Sequence, residues 1–284
     1  MQLSVVIITY NEAANIGRTL ASVQPLIAGG IGEIIVVDSG STDRTVDIAR
    51  SFGANVFVEE WKGYAAQKNS AIDKASGEWI LSLDADEEVS PDLQQEIGQT
   101  VKYPPAVHKA ARQNDEGTLE PIYINGCFIP RQNFFLGRWI QHGGFWPDPK
   151  LRLFRRGTGR FQEAAVHETV RVQEYHQGGI SVSSRRLNAP LIHHSYPTLS
   201  DYIEHMNRYS SLGAEMVAGR GKVRFSFINI ALRPLFTFLY NYFFRLGFLD
   251  GREGLLLHLY HAVYVSWKYA KAWESSRKNP PLSS

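Results

Sequence analysis

Cysteine is nearly absent, with one residue, Cys127, in a chain of 284, which excludes an internal disulfide and a cysteine-built zinc site. Charge of one sign is equally short. A formal net charge of +2 gives no footprint for nucleic acid, and no zinc-finger or RNA-binding aromatic motif supplies one locally, so no nucleic-acid partner is expected. Glycine is present, but not where nucleotide loops need it. Gly29, Gly30 and Gly32 precede the second apolar run instead of following the first, so G-x-G-x-x-G is missing, as are a P-loop and a G-x-S-x-G nucleophile turn. Met1 leads into a strand-like run without a charged region and apolar signal core, and the expected location is cytoplasmic. What remains, 44% hydrophobic and 20% charged, is a globular composition with room for one large domain and an appendage.

Two nearly continuous β-branched runs, Leu3 to Thr9 and Glu33 to Asp38, have the pattern of parallel strands covered on both faces. Between them, Asn11 is placed to cap a helix carrying Ile16, Leu20 and Val23 at helical spacing, and Thr42 or Asp43 to cap another after Asp38. Val56 to Val58 predicts a third strand, Tyr64 to Ala75 a helix ended by Ser76-Gly77, and Trp79 to Leu83 a fourth strand. Strand and helix thus alternate as in a doubly wound α/β half, where ligands bind outside the carboxyl ends of the strands. Those ends are the polar places of the sequence: Thr9-Tyr10-Asn11-Glu12, Asp38-Ser39-Gly40-Ser41-Thr42-Asp43 and Asp84-Ala85-Asp86.

At i and i+2 of an extended segment, Asp84 and Asp86 point the same way. Glu87 and Glu88 follow, and four carboxylates at a strand end repel one another unless a cation sits among them. Hard oxygen donors suit Mg2+ or Mn2+; the alternative is an acidic loop capping the helix that Ser90-Pro91-Asp92 starts. Val5-Val6-Ile7-Ile8-Thr9-Tyr10-Asn11-Glu12, Val36-Val37-Asp38-Ser39-Gly40-Ser41-Thr42-Asp43 and Leu83-Asp84-Ala85-Asp86, in that order and at those distances, resemble the three signatures of glycosyltransferase family 2. The resemblance implies a GT-A fold whose first two loops hold a sugar nucleotide while Asp84 and Asp86 hold a metal on its diphosphate. By that analogy Asp38 reads the base, usually uracil, with Ser39 beside it, and Thr9, Tyr10, Asn11 and Glu12 line the nucleoside pocket. Lys68 lies near the donor or on a solvated helix face; Thr9, Asn11 and Asp43 serve equally as turn and cap residues.

From Pro121 to Pro190 the pattern turns to short strands and aromatic-rich loops, suited to an acceptor-facing half. Gly137-Arg138-Trp139-Ile140, His142-Gly143-Gly144-Phe145-Trp146-Pro147-Asp148, Leu151-Arg152-Leu153-Phe154-Arg155-Arg156 and Val166-His167-Glu168-Thr169-Val170 resemble the bacterial subgroup that includes lipopolysaccharide core β-1,4-glucosyltransferases. In that family a carboxylate about eighty residues past the D-x-D serves as base. Here His167-Glu168 stands where Glu-Asp is usual, so Glu168 is expected as base, with His167 orienting it or acting itself and Asp148 in reserve. Lys150, Arg152, Arg155, Arg156 and Arg160 form a basic cluster in which Arg152 is the candidate phosphate grip. Trp139 and Trp146 are candidates to stack on sugar rings or to fill the core. Some GT-A enzymes recruit a late histidine to the metal, and His193 fits that place better than His194.

Phe225 to Leu249 is aromatic and long enough to suggest a membrane span, but Arg233 near its middle costs about 2.5–3.5 kcal/mol on insertion scales and Pro234 interrupts the helix. An interfacial helix on an anionic membrane surface fits better, with Leu235, Phe238, Leu239 and Tyr242 on one stripe and Arg224, Arg233 and Arg245 near headgroups. The alternative is packing against the catalytic domain or a second copy, giving a homo-oligomer. The expected organisation is a GT-A catalytic domain over 1–197, with a donor half 1–103 and an acceptor half 104–197, and a helical region over 198–284. The expected function is metal-dependent inverting transfer of a hexose, glucose favoured, from a UDP-linked donor to a lipid-linked envelope glycan such as the lipopolysaccharide inner core, at the cytoplasmic face of the bacterial inner membrane. Transfer to polyprenyl phosphate or another envelope polysaccharide, or a non-catalytic membrane-tethered sugar-nucleotide sensor, are the alternatives.

Overall fold

A computed structural model describes residues 2–102, 111–113, 119–162, 169–172, 175–177, 180–219 and 223–278. Glu168 and His167 lie outside the described residues. The chain forms two compact units, the first drawn from residues 2–131, 149–162 and 169–193, the second from 132–148 and 194–278.

In the first unit β1 (Leu3–Thr9), α1 (Ile16–Ile27), β2 (Gly32–Asp38), α2 (Thr45–Ser51), β3 (Asn55–Val58), α3 (Tyr64–Asp73) and β4 (Trp79–Leu83) alternate as the β-branched runs predict. β1 pairs in parallel with both β2 and β4, and β2 with β3, so the strands lie in the order β3, β2, β1, β4. The order reverses at β1, which makes the crevice beyond β1 and β4 the expected ligand position in such a sheet. Beyond β4 the sheet continues with Lys150–Arg155 antiparallel to β4, then Leu119–Ile129 and Ile180–Arg186.

Both faces of the parallel strands are covered, and alternation assigns the residues. Val5 and Ile7 face α1, through Ile16, Leu20 and Val23, and α4 (Pro91–Lys102), through Leu93 and Ile97. Val6, Ile35 and Ile80 face the other way, towards Ala65, Ala71 and Ile72 of α3. Each fully buried Val, Ile or Leu contributes about 1.5–3 kcal/mol of transfer free energy, so a charge at any of these positions would unfold the layer. Cys127 is fully buried in the first of these layers, and burial pushes its thiol up to about 11.

Two local expectations change. α1 starts at Ile16 with Asn15 as its N-cap residue, not at Asn11. Asn11 instead has φ 54, and its side-chain oxygen accepts from the Thr42 amide at 2.9 Å, tying the first loop to the second. Asp84-Ala85-Asp86 is a turn between β4 and the short strand β5 (Glu87–Val89), so strand alternation does not aim its two carboxylates together.

The second unit is mainly helical. Leu199–Ala218 opens on a capping box, with the Asp201 amide donating to Thr198 Oγ1 and the Thr198 amide to Asp201 Oδ2, both at 3.1 Å. It packs on the long helix Gly251–Lys278. A Cβ at Gly213 would stand 2.8 Å from Cδ of Lys268, so the lysine stem lies directly over the glycine. Phe135, Ile140, Tyr202 and Leu257 form this unit's core. His258 is buried against Gly143 and Gly247, where any side chain would strike its ring, and burial followed by the neighbouring His261 pulls it down to about 4.

The aromatic segment is one irregular helix with wide π turns at Ile228–Leu232 and Tyr240–Phe244 flanking an α-helical Arg233–Leu239. The exposed apolar stripe is Ile228, Leu232, Leu235, Phe236, Leu239 and Phe243. Phe238 and Tyr242 leave the expected stripe; they are half-buried and stack on each other at 5.2 Å. None of the described helices is long and apolar enough to cross a membrane.

Candidate active site

The carboxyl ends of β1 and β2 are locked together by Asp38. This fully buried carboxylate accepts from Thr9 Oγ1 at 2.8 Å, from Ser41 Oγ at 2.5 Å, and from the amides of Gly40 and Ser41 at 3.0 and 2.7 Å. Four bonds fill the lone-pair sites of a carboxylate. The Ser39 amide donates to Thr9 O at 2.9 Å, while Ser39 Oγ is buried with no hydrogen-bond partner among the described residues. Beside this clasp Tyr10 stands 58% exposed. The Asn11 amide donates to Ser41 Oγ at 2.8 Å and the Glu12 amide to Thr45 Oγ1 at 2.7 Å. Asp43 receives the Ala13 amide and the Thr45 amide, both at 3.0 Å, so it serves as turn and cap together. Burial raises the Glu12 carboxyl, and Asp86, Asp43 and Asp84 push it the same way against a hydrogen bond from Asn15.

At the end of β4 the two aspartates part company. Asp84 Oδ1 accepts from Lys68 Nζ at 2.8 Å, and Asp84 Oδ2 accepts from Arg152 Nη2. Burial alone would raise Asp84, but Arg152 and then Lys68 hold it well below the usual carboxylate range. Asp86 instead sits with Oδ2 at 3.3 Å from His193 Nε2. Here too burial raises the carboxyl and the histidine more than offsets it, leaving Asp86 low. Ala85 between them is buried, and its carbonyl accepts from Thr19 Oγ1 of α1 at 2.6 Å, which pins the turn.

Lys68 is therefore no solvated helix residue. It is 4% exposed and its ammonium lies 5.1 Å from the centre of the Phe161 ring. Its neighbour Asn69 clasps Phe161 twice, donating to its carbonyl at 2.9 Å and accepting from its amide at 3.0 Å. Arg152 is 5% exposed and is shared between Asp84 and Glu87, the latter at 2.7 Å. Glu87, one of the four strand-end carboxylates, is joined at 3.1 Å by Arg131, a residue that no sequence signal marks.

His193 comes from the strand Leu191–Tyr196, paired antiparallel to β5 so that His193 stands opposite Glu87. Among the described residues no three His, Cys, Asp or Glu side chains form a closed metal cage. In the second unit Trp146 meets Trp139 edge-on at 5.2 Å, and Asp148, with φ 38, accepts from Asn133 Nδ2 at 3.2 Å. His194 stacks on Phe134 at 5.7 Å.

A strand order reversing at β1, with a buried aspartate ending β2 and a split carboxylate pair after β4, is the GT-A arrangement that the resemblance to glycosyltransferase family 2 implies. The family is shown directly: residues 4–158 match the model of "Glycosyl transferase family 2", and the chain belongs to that family. An uncharacterized glycosyltransferase of Rickettsia bellii is 32% identical over 285 residues, covering 99% of this chain and 90% of the relative. The lipopolysaccharide core biosynthesis glycosyltransferase LpsC of Rhizobium meliloti is 29% identical over 280 residues, 96% of this chain and 93% of the relative. Among solved structures, S. aureus TarS 1-349 in complex with UDP aligns at 17% identity and a TM-score of 0.45 over 100% of this chain and 93% of that one, too distant to add to the assignment.

Proposed function

We propose that this glycosyltransferase moves a hexose, glucose favoured, from a UDP-sugar to a lipid-linked envelope glycan of the lipopolysaccharide-core type, with inversion at the anomeric carbon. The observation that carries the reading is the position of buried Asp38 at the carboxyl end of β2 and of Asp86, paired with His193, just beyond the carboxyl end of β4, the two strands that flank β1, where such sheets bind nucleotides. Asp38 has its acceptor sites filled by two amides and two hydroxyls; of the hydroxyls, that of Thr9 is buried in the strand end, whereas that of Ser41 is half-buried on the loop and the more easily displaced. Swinging it aside frees a lone pair for the imide N–H of a uracil, while Tyr10 offers an exposed ring beside it.

An oxygen donor and an imidazole nitrogen fit a divalent cation that keeps open positions for diphosphate oxygens and water. Asp86 and His193 are the residues that would hold it, since both oxygens of Asp84 are taken by Lys68 and Arg152. When bound, the cation neutralises charge on the departing diphosphate. Lys68 and Arg152 supply fixed positive charge beside it, buried and already oriented, so little reorganisation is needed as charge develops. Glu168 takes the proton of the acceptor hydroxyl, the oxygen attacks the anomeric carbon in line, and the bond to the diphosphate breaks to release UDP.

The acceptor's lipid would bring the enzyme to a membrane, and the exposed stripe from Ile228 to Phe243 fits a peripheral contact with the inner face of the inner membrane. From Met216 to Leu249 the sequence has no Asp or Glu, while Arg220, Lys222, Arg224, Arg233 and Arg245 punctuate it, the composition that favours anionic headgroups. Titrating UDP-, GDP- and ADP-sugars with and without Mn2+, then assaying transfer to purified core glycolipid and to polyprenyl phosphate, tests the reading. Binding that ignores the base or the cation, or transfer to polyprenyl phosphate alone, would overturn its respective parts.

A further inference from the structure

Glu87 has no exposed surface, and its carboxylate is held from three directions. Oε1 accepts from Arg152 Nη2 at 2.7 Å and from Arg131 Nη1 at 3.1 Å, and Oε2 accepts from the Asp84 amide at 3.0 Å. Lys68, Asp84, Arg152, Glu87 and Arg131 thus form a chain of alternating sign, with three cations to two anions. Stability alone explains such a chain poorly, because desolvating buried charges offsets much of their mutual attraction. A guanidinium shared between two carboxylates is fixed in rotation as well as in place, and a fixed fork suits an anionic ligand held at two points.

The geometry points to Glu87 as a positioning residue for the departing diphosphate: it sets the orientation of Arg152 and, through the Asp84 amide, the shape of the Asp84-Ala85-Asp86 turn. The inference rests on the donor reading above and deepens it. Glu87 touches no substrate atom; it acts through Arg152 and the turn.

Two effects of opposite sign meet at this residue. Replacing the carboxylate by an amide adds one unit of positive charge to the site, and Coulomb attraction alone would then tighten an anionic ligand. Losing the hold on Arg152 lets its fork collapse onto Asp84, which loosens the ligand and slows turnover. Positioning therefore predicts the reverse of simple electrostatics.

The test is the full-length Glu87→Gln variant with Mn2+ present, measuring UDP and uridine affinities and turnover. UDP binding is expected to weaken about tenfold and kcat to fall about tenfold, with uridine affinity unchanged. UDP binding that tightens or stays level, or a loss shared equally by uridine, overturns the assignment. Should Glu87→Gln give no cooperative melt, Arg152→Lys keeps the charge and loses the fork. It should weaken UDP about tenfold and spare uridine, and unchanged UDP affinity in it counts against the inference. Wild-type protein that ignores UDP but binds another nucleoside diphosphate refutes the uridine reading alone, and the same ratio is then measured with that nucleotide and its nucleoside.

Discussion

The carboxyl end of the parallel strands and the aromatic helix of the second unit break the ordinary rule of burial in opposite directions. The first takes charge inside: Asp38, Lys68, Glu87 and Arg152 are all at most 5% exposed. The second leaves hydrophobes outside, with Phe236 at 66% and Phe244 at 78%. Buried charge survives only when paired, and every one of those four side chains has a partner of opposite sign or a set of hydrogen bonds. Exposed aromatics on this scale mark a contact surface. Each anomaly sits where the proposed reaction needs a partner, the sugar nucleotide at one and the lipid surface at the other.

The largest effect separates the two regions cleanly. Asp86→Asn should lower turnover by about a thousandfold and abolish the Mn2+ dependence of UDP binding, while vesicle binding stays intact. Donor binding that keeps its metal response in that variant removes the cation from Asp86. Next comes Glu168→Gln, expected to leave UDP-sugar affinity within about twofold and to cut kcat at least about a hundredfold, the scale for a lost general base; near-normal turnover would pass the role to His167 or Asp148.

A third effect is thermodynamic and belongs to the second unit. His258 is pulled down to about 4 in the folded chain from the ordinary histidine value of 6.5, so between those values the unfolded chain binds the extra proton. Stability from this histidine is complete above about pH 6.5 and is lost as pH falls towards 4, by at most about 3 kcal/mol. Melting curves over that range should lose this slope in His258→Leu, and an unchanged slope would place the sensitivity elsewhere. The smallest effect is at the aromatic surface. Phe236→Ser with Phe244→Ser should reduce binding to anionic vesicles about tenfold or more and leave the melting temperature unchanged, since both side chains are already in solvent. A drop in melting temperature would mean that the stripe is structural.

How much of this was legible depends on range. Leu3–Thr9 and Trp79–Leu83 were readable to the residue because a β-branched or apolar run with polar punctuation is a local signal. The start of the helical region at 198 agrees with the helix that Thr198 caps. The pairings of the site were not. Lys68 meets Asp84 across 16 positions, Arg152 reaches Asp84 across 68 and Glu87 across 65, and no periodicity records such distances. The basic cluster is visible in the sequence, but the two carboxylates that hold Arg152 in place are not. Asn11 shows the same lesson in small, since a helix-cap residue in sequence turned out to span 31 positions to Thr42. The stripe on the aromatic helix differs because Phe238 and Tyr242 are half-buried and stacked on each other, and helical spacing alone does not say which flank of a stripe is covered.

The single thiol has a practical corollary. Cys127 is sealed inside the sheet layer with its pKa near 11, so at neutral pH it is neither accessible nor a thiolate. A cysteine introduced at Phe244 would then be the sole site for a maleimide fluorophore or spin label without any background-removing substitution, and its emission colour or accessibility to quenchers would report directly how deep that corner of the molecule sinks into lipid.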